Sequence, residues 1–478
     1  MDQNFLMPPP SRATGVGRVF TWVMGIVCYG LLLSMMVLIA RQIIIGPPAH
    51  RVVLMRNIPL PPALLEKDDT DNTSLEPGQS QDFDSFGFQA IDPKTHLLFI
   101  AHSGPIPFNF TFEDPSFRFD NPDDLARDGN ILVFDLQKQQ LVGRVPIPRV
   151  TGLIVAPDLG KVFAAGSEEN RIYSFDEPSL TNITHLQLGE YDDPDSLTYD
   201  PGSQKLFVAA PGAHTRDIVQ VPGLEKPIRQ ENTNPEVENV FVIDAPTLTI
   251  LKTINIGKLP KLDEEDLTNG EKPVPVLEDG RPKFGYKVGH IKYNEVNHRV
   301  YLATQISPDE NDRSGPLPPN GSGELMVINP DSYTVEDRIL LPESCNFPHA
   351  LELDTKASLA YTDCTEVDAD EPLVQHLIRV DLKTRKVFPD DPFKTMLAPA
   401  PNMIVLDRPQ QLIFVGCSGG VTVFDVRPGH FHKLGSYVIG KDTSSIIVDE
   451  ATQFIYLPTP GAGGRPTLHI AKYYPLGD

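Results

Sequence analysis

An aromatic residue recurs seven times at one position of a repeated short strand, and no other feature restricts the architecture as much. The strands read LFIAHS, VFAAGS, LFVAAP, VYLATQ, AYTDCT, IFVGCS and IYLPTP, and the column is Phe99, Phe163, Phe207, Tyr301, Tyr361, Phe414 and Tyr456. A period of roughly 40–60 residues, stretched by insertions, marks units that bury their apolar faces only by stacking on one another. Each unit opens with another strand: GFQAIDP, GLIVAPD, DSLTYDP, HIKYNEV, HALELDT, NMIVLDR and SSIIVDE. A third strand closes on a carboxylate or its amide in six units, at Asp135, Asp176, Asp244, Asn329, Asp381 and Asp425. A fourth follows, as in Leu141–Ile147 and Ile250–Ile256. Alternating β-branched and aromatic residues favour strands throughout, and 47 prolines and 35 glycines suit the many turns between them. Four strands per unit around an axis predict an all-β fold, a seven-bladed β-propeller over residues 85–478.

The seventh unit supplies only three strands before Asp478. The missing one is expected near the N-terminus, because Asn57-Ile58-Pro59-Leu60-Pro61 mirrors Arg144-Val145-Pro146-Ile147-Pro148 at the end of the first unit. Residues 51–61 are therefore expected to close the last blade, removing an open sheet edge. Residues 62–84 are polar and acidic and read as a linker.

Over residues 51–478 the chain resembles the YVTN-repeat family, which includes lactonase-like propellers. The resemblance rests on the aromatic-aliphatic-small second strand and on phrases such as VIDAPTLTILKTINIG, although no blade carries the YVTN tetrapeptide itself. It implies a seven-bladed, usually extracytoplasmic propeller. It implies no single function, because sites are grafted onto folds.

Val19–Ala40 contains no charged residue and is 22 residues long, enough to cross a hydrocarbon core of about 30 Å as a helix. The apolar run resumes after Arg41 as Ile43-Ile44-Ile45 instead of ending in small residues, so a single N-terminal transmembrane helix over 19–45 is expected to stay as an uncleaved anchor. Residues 1–18 then form a short cytoplasmic tail, and the large acidic body lies on the periplasmic or extracellular side. The formal charge of −23 argues against nucleic acid as a partner.

In a propeller, the loop leading into the inner strand and the loop joining the second and third strands share one face. The residues leading the inner strands should ring the channel mouth: Gly87, Gly152, Asp195, His290, His349, Asn402 and Ser444. Four consecutive blades thus supply Asp, His, His and Asn, with Asp193 beside them, and Asp193, Asp195, His290, His349, Asn402 and Ser444 form a candidate binding crescent. Asp195, His290 and His349 are candidate ligands of a divalent metal, and His290 and His349 are candidate catalytic acid/base groups. The plainer alternative is that these side chains hydrogen-bond backbone and water. Long connections in blades one (103–130), three (211–239), four (305–324) and five (365–376) fall on the same face, and are candidate surfaces for a protein partner. Cys345 and Cys364 belong to blade five and form a candidate disulfide in an oxidising compartment. There is no CxxC pair, no CxxCH and no GxSxG on a strand-to-helix turn. Two functions follow: a membrane-anchored binding or scaffold module, an accessory subunit of a membrane complex; or a lactonase- or lyase-like enzyme using the crescent.

Overall fold

A computed structural model of the chain describes residues 51–61, 83–106, 129–167, 169–189, 192–212, 215–219, 228–232, 238–257, 259, 284–308, 323–342, 345, 347–366, 374–390, 394–440, 442–460 and 466–475. The expected tail, the anchor at 19–45 and most of the long connections lie outside them, as does the expected linker apart from Phe83 and Asp84, which belong to the first inner strand. Among the described residues there is no helix, and none long and apolar enough to cross a membrane.

Seven four-stranded sheets account for nearly all the described strands. From inner to outer strand, blade one is Phe83–Asp92, Leu97–Ile106, Asn130–Asp135 and Gln140–Pro146, and blade two is Val150–Ala156, Lys161–Gly166, Arg171–Asp176 and Thr181–Gln187. Blade three is Ser196–Asp200, Lys205–Ala210, Asn239–Asp244 and Thr249–Asn255, with a small hairpin, Thr215–Val219 and Ile228–Asn232, between its second and third strands. Blade four is Phe284–Asn294, Arg299–Pro308, Glu324–Asn329 and Thr334–Leu340, and blade five is Phe347–Asp354, Leu359–Glu366, Val374–Asp381 and the short Lys386–Val387. Blade six is Pro401–Asp407, Leu412–Cys417, Gly420–Asp425 and His432–Tyr437. Blade seven is Ile447–Asp449, Phe454–Thr459 and Thr467–Tyr474, and its outer strand is Arg51–Pro59. The join is fixed beyond the strand by Leu60 N–H donating to the Pro466 carbonyl at 2.8 Å and by His469 Nδ1 against Asn57 Oδ1 at 2.7 Å.

The aromatic column is the mortar between blades. Every member is at most 3% exposed. Phe99 packs with blade-two residues such as Phe175, Phe163 with Tyr199 and Leu206 of blade three, and Phe207 with Val288 and Ile291 of blade four. Tyr301, Tyr361 and Phe414 do the same toward blades five, six and seven, and Tyr456 packs on Leu98, Ile100 and Phe134 of blade one. Seven apolar clusters therefore fill seven interfaces. Third strands, sandwiched on both faces, are continuously buried, as in Asn130–Asp135, whereas outer strands such as Thr181–Gln187 are mostly exposed.

The recurrent Asp and Asn at strand ends make the turns. In the hairpins after the third strands, Asp135 Oδ1 accepts from the amides of Gln137 and Lys138, and Asp381 Oδ1 from those of Lys383 and Thr384. Each hairpin then passes through a residue of positive φ, Gln139 at 52° and Arg385 at 59°. A short side-chain acceptor that mimics the backbone turn is what Asp and Asn provide here.

Candidate functional site

Every well-formed inner strand but blade three's begins with an irregular step against its neighbour. Register shifts fall between Phe86 and Gln89, Val150 and Leu153, Val288 and Ile291, Pro348 and Leu351, and Pro401 and Met403. Such bulges re-aim side chains. In blades four and five the displaced residues include His290 and His349, and in blade one they include Phe88. The glycines at the same level permit close packing between blades: a Cβ on Gly87 would lie 2.3 Å from the Thr151 carbonyl oxygen, and one on Gly152 would lie 1.9 Å from that of Asp195.

Three of the crescent residues converge. Ligand atoms of Asp195, His290 and His349 all lie within 4.8 Å of one another. The imidazoles of His290 and His349 are 4.5 Å apart between centroids, and the Phe88 ring reaches from blade one to within 4.7 Å of His290. Asp195 sits on a turn held by its own amide donating to the Ala209 carbonyl at 3.0 Å and by Thr151 Oγ donating to the Pro194 carbonyl at 3.0 Å. Asp193, at φ 43°, is fixed separately by its amide donating to Asn170 Oδ1 at 2.8 Å. Asn402 and Ser444 lead the inner strands of blades six and seven and are half-buried; the convergent set does not include them.

Two buried carboxylates hold the bulges that carry the histidines. Glu238, fully buried, accepts from the Val288 amide through Oε2 at 2.9 Å. Asp363, 2% exposed, accepts through Oδ1 from the amides of both His349 and Ala350, at 3.1 and 2.6 Å. Burial drives both carboxyls upward, Asp363 to about 7 and Glu238 well above the usual carboxylate range. The sequence reading did not single out either. Asp363 had a visible signal: it stands where the other six repeats carry Ala101, Ala165, Ala209, Ala303, Gly416 and Pro458.

The site holds its imidazoles neutral. Burial, with His349 and Lys292 nearby, pushes His290 well below the ordinary histidine range. Burial and the Lys287 charge take His349 down to about 4. Burial and Asp193 raise Asp195 to about 6, against the opposing pull of Lys287 and Thr151. His290 is 2% exposed, and its Nε2 makes no hydrogen bond among the described residues.

Beyond Phe88 and His290 the channel widens into a chamber of about 710 Å³. Its walls mix apolar side chains, Ile154, Met403, Ile404 and Ile446 among them, with charged ones. Ion pairs link consecutive blades along its lining: Lys292 Nζ to Glu352 at 2.9 Å, Glu352 to Arg408 at 3.3 Å, and Arg408 to Glu450 at 2.8 Å. These charges satisfy one another and tie blades four to seven together.

Cys345 and Cys364 are joined by a disulfide that clamps the approach to the blade-five inner strand, with Cα atoms 4.8 Å apart. Cys417 is buried and unbonded. Because the bridge spans a sequence separation of 19, the double substitution Cys345→Ser/Cys364→Ser is expected to cost about 3 kcal/mol in denaturant unfolding. Identical curves for the wild type with and without reductant would show that the bridge does not contribute.

No known family matches the chain, and no curated protein matches it in sequence. Solved structures do match in shape. Hydrazine synthase from Kuenenia stuttgartiensis superposes with a TM-score of 0.55 at 11% identity, covering 82% of this chain and 97% of that one. A chain in the structure of the mitotic checkpoint complex superposes with a TM-score of 0.52 at 7% identity, covering 88% of this chain and 92% of that one. At such identities the likeness is one of fold: the chain is a seven-bladed β-propeller.

Proposed function

We propose that this chain is a YVTN-type propeller displayed outside a membrane by an N-terminal helix, and that it works as a binding or scaffold module, an accessory subunit of a membrane complex. One observation supports this reading most. The long connections of blades one, three, four and five all leave from the end of a second strand, the end at which Asp195, His290 and His349 lie, whereas in blades two and six the second and third strands pair up to Gly166–Arg171 and Cys417–Gly420. Long one-sided loops on a rigid ring are the usual carriers of recognition. The disulfide and the uncharged run Val19–Ala40 favour the extracytoplasmic side.

The test uses full-length protein extracted gently from its own membranes and sized by native mass measurement. An assembly larger than the protomer is expected. It should dissociate when residues 107–128 and 309–322 are replaced by short linkers, with the thermal melt unchanged. Full-length protein that runs as a bare protomer in every mild detergent would defeat the reading.

The convergence of two histidines and an aspartate supports a second reading, a lactonase- or lyase-like hydrolytic site with His290 and His349 as acid/base groups. It requires turnover of lactones or esters that His349→Ala abolishes. Both imidazoles are pushed well below the ordinary histidine range and are therefore weak general bases at pH 7, and binding is the better supported function.

A further inference from the structure

Two groups of histidines and a carboxylate converge among the described residues. In the first, Asp425, His430 and His432, the carboxylate is already occupied: Arg427 Nε donates to it at 3.0 Å and Nη2 at 2.6 Å, and both imidazoles are exposed. The second, Asp195 with His290 and His349, is different in kind. It lies at the neck of the channel, His290 is buried, and the Nε2 of that ring has no hydrogen-bond partner among the described residues. A buried polar atom without a partner costs about 1–3 kcal/mol, so it calls for an explanation.

We propose that Asp195, His290 and His349 bind one divalent first-row transition ion, leaving coordination positions open to the channel mouth. Two imidazoles and a carboxylate form the donor set of open transition-metal sites, whereas calcium and magnesium take oxygen ligands. Donors about 2.0–2.2 Å from an ion sit roughly 3.0–3.4 Å from one another, so a set already within 4.8 Å closes by small side-chain rotations. The supports expected around a metal site are in place. Glu238 and Asp363 pin the backbone of the two bulges, and the Phe88 ring packs against His290 from the blade-one side. Asp193 adds a second negative charge, which offsets Lys287. The inference deepens the reading of the mouth as a binding face and rests on it, because an ion with open positions would supply the anchor for a ligand's oxygen or nitrogen.

Full-length protein in detergent, stripped with a chelator and dialysed, is titrated with Co²⁺ by visible absorption and with Zn²⁺ by calorimetry. One equivalent of each is expected, with a rise in the melting temperature of the wild type. Asp195→Asn and His349→Ala should each weaken binding on the order of 100-fold or more, because removing a ligand exceeds the 10–100-fold loss typical of the residues behind it. Asp425→Asn should bind as wild type. Absence of saturable one-to-one binding in the wild type would overturn the proposal, as would unchanged affinity in folded Asp195→Asn and His349→Ala proteins. The wild-type titration decides the matter even if a variant unfolds. Metal stoichiometry and assembly size are separate measurements, so the site can fail while the scaffold reading stands, and the reverse.

Discussion

Phe207→Ala is expected to destabilise the propeller by about 3–5 kcal/mol, the usual result of truncating a buried aromatic residue to alanine. The ring is fully buried and packs with Val240, Val242 and Ile256 of its own blade and with Val288, Ile291, Val300 and Leu302 of the next. Its removal opens a cavity between blades three and four that rigid strands on both sides cannot collapse into. The same cluster holds Val288 and Ile291, which bracket His290, so the variant should also loosen the blade-four bulge. Denaturant unfolding measures the first effect. Leu251→Ala, on an outer strand with 45% exposure, is the control and should stay within about 0.5 kcal/mol of wild type. A Phe207→Ala loss no larger than that of the control would mean that the aromatic column does not cement the blades.

Asp363→Ala is expected to cost about 2–6 kcal/mol, because the amides of His349 and Ala350 lose their shared acceptor, at about 1–3 kcal/mol each. Asp363→Asn keeps a carbonyl oxygen in the same place and should stay within about 1 kcal/mol of wild type. The contrast between the two substitutions isolates the acceptor from the charge. The alanine variant should also release His349 from its bulge, seen as changed chemical shifts of the His349 ring in a histidine-labelled sample. Equal stabilities for Ala and Asn would rule out a clamp through those hydrogen bonds.

The repeat was readable because burial between blades acts on a local pattern. Each second strand lies between two neighbouring blades, so its aromatic, aliphatic and small positions recur in fixed order from Leu98-Phe99-Ile100 to Ile455-Tyr456-Leu457. Aligning the repeats also brought Asp195, His290 and His349 to one level, where the structure places them together. Phe88 escaped that reading for a definable reason. Period-2 alternation assumes an unbroken ladder, and the irregular step between Phe86 and Gln89 changes which residue faces the axis. Gly87, aligned with the histidines, turns out to serve close approach to Thr151, while its neighbour Phe88 crosses to His290. Bulges depend on backbone hydrogen bonds with a partner strand, and a linear pattern of side chains does not encode them. Asn402 and Ser444 show the converse, since alignment put them at the right level but the convergent set does not include them.

The outer strand of blade seven gives the ring a history as well as a shape. Arg51–Pro59 is synthesised before any blade, yet its partner Thr467–Tyr474 is the last described strand. Until that partner exists, the early strand keeps an open edge, and in the finished ring it still exposes Leu54 at 42% and Met55 at 49%. Six blades draw all their strands from consecutive sequence, while closure of the seventh waits for Thr467–Tyr474. Pairings this distant in sequence are slow to form and leave edges exposed meanwhile. Without the pairing of Arg51–Pro59 with Thr467–Tyr474 the seven sheets form an open arc, not a smaller propeller.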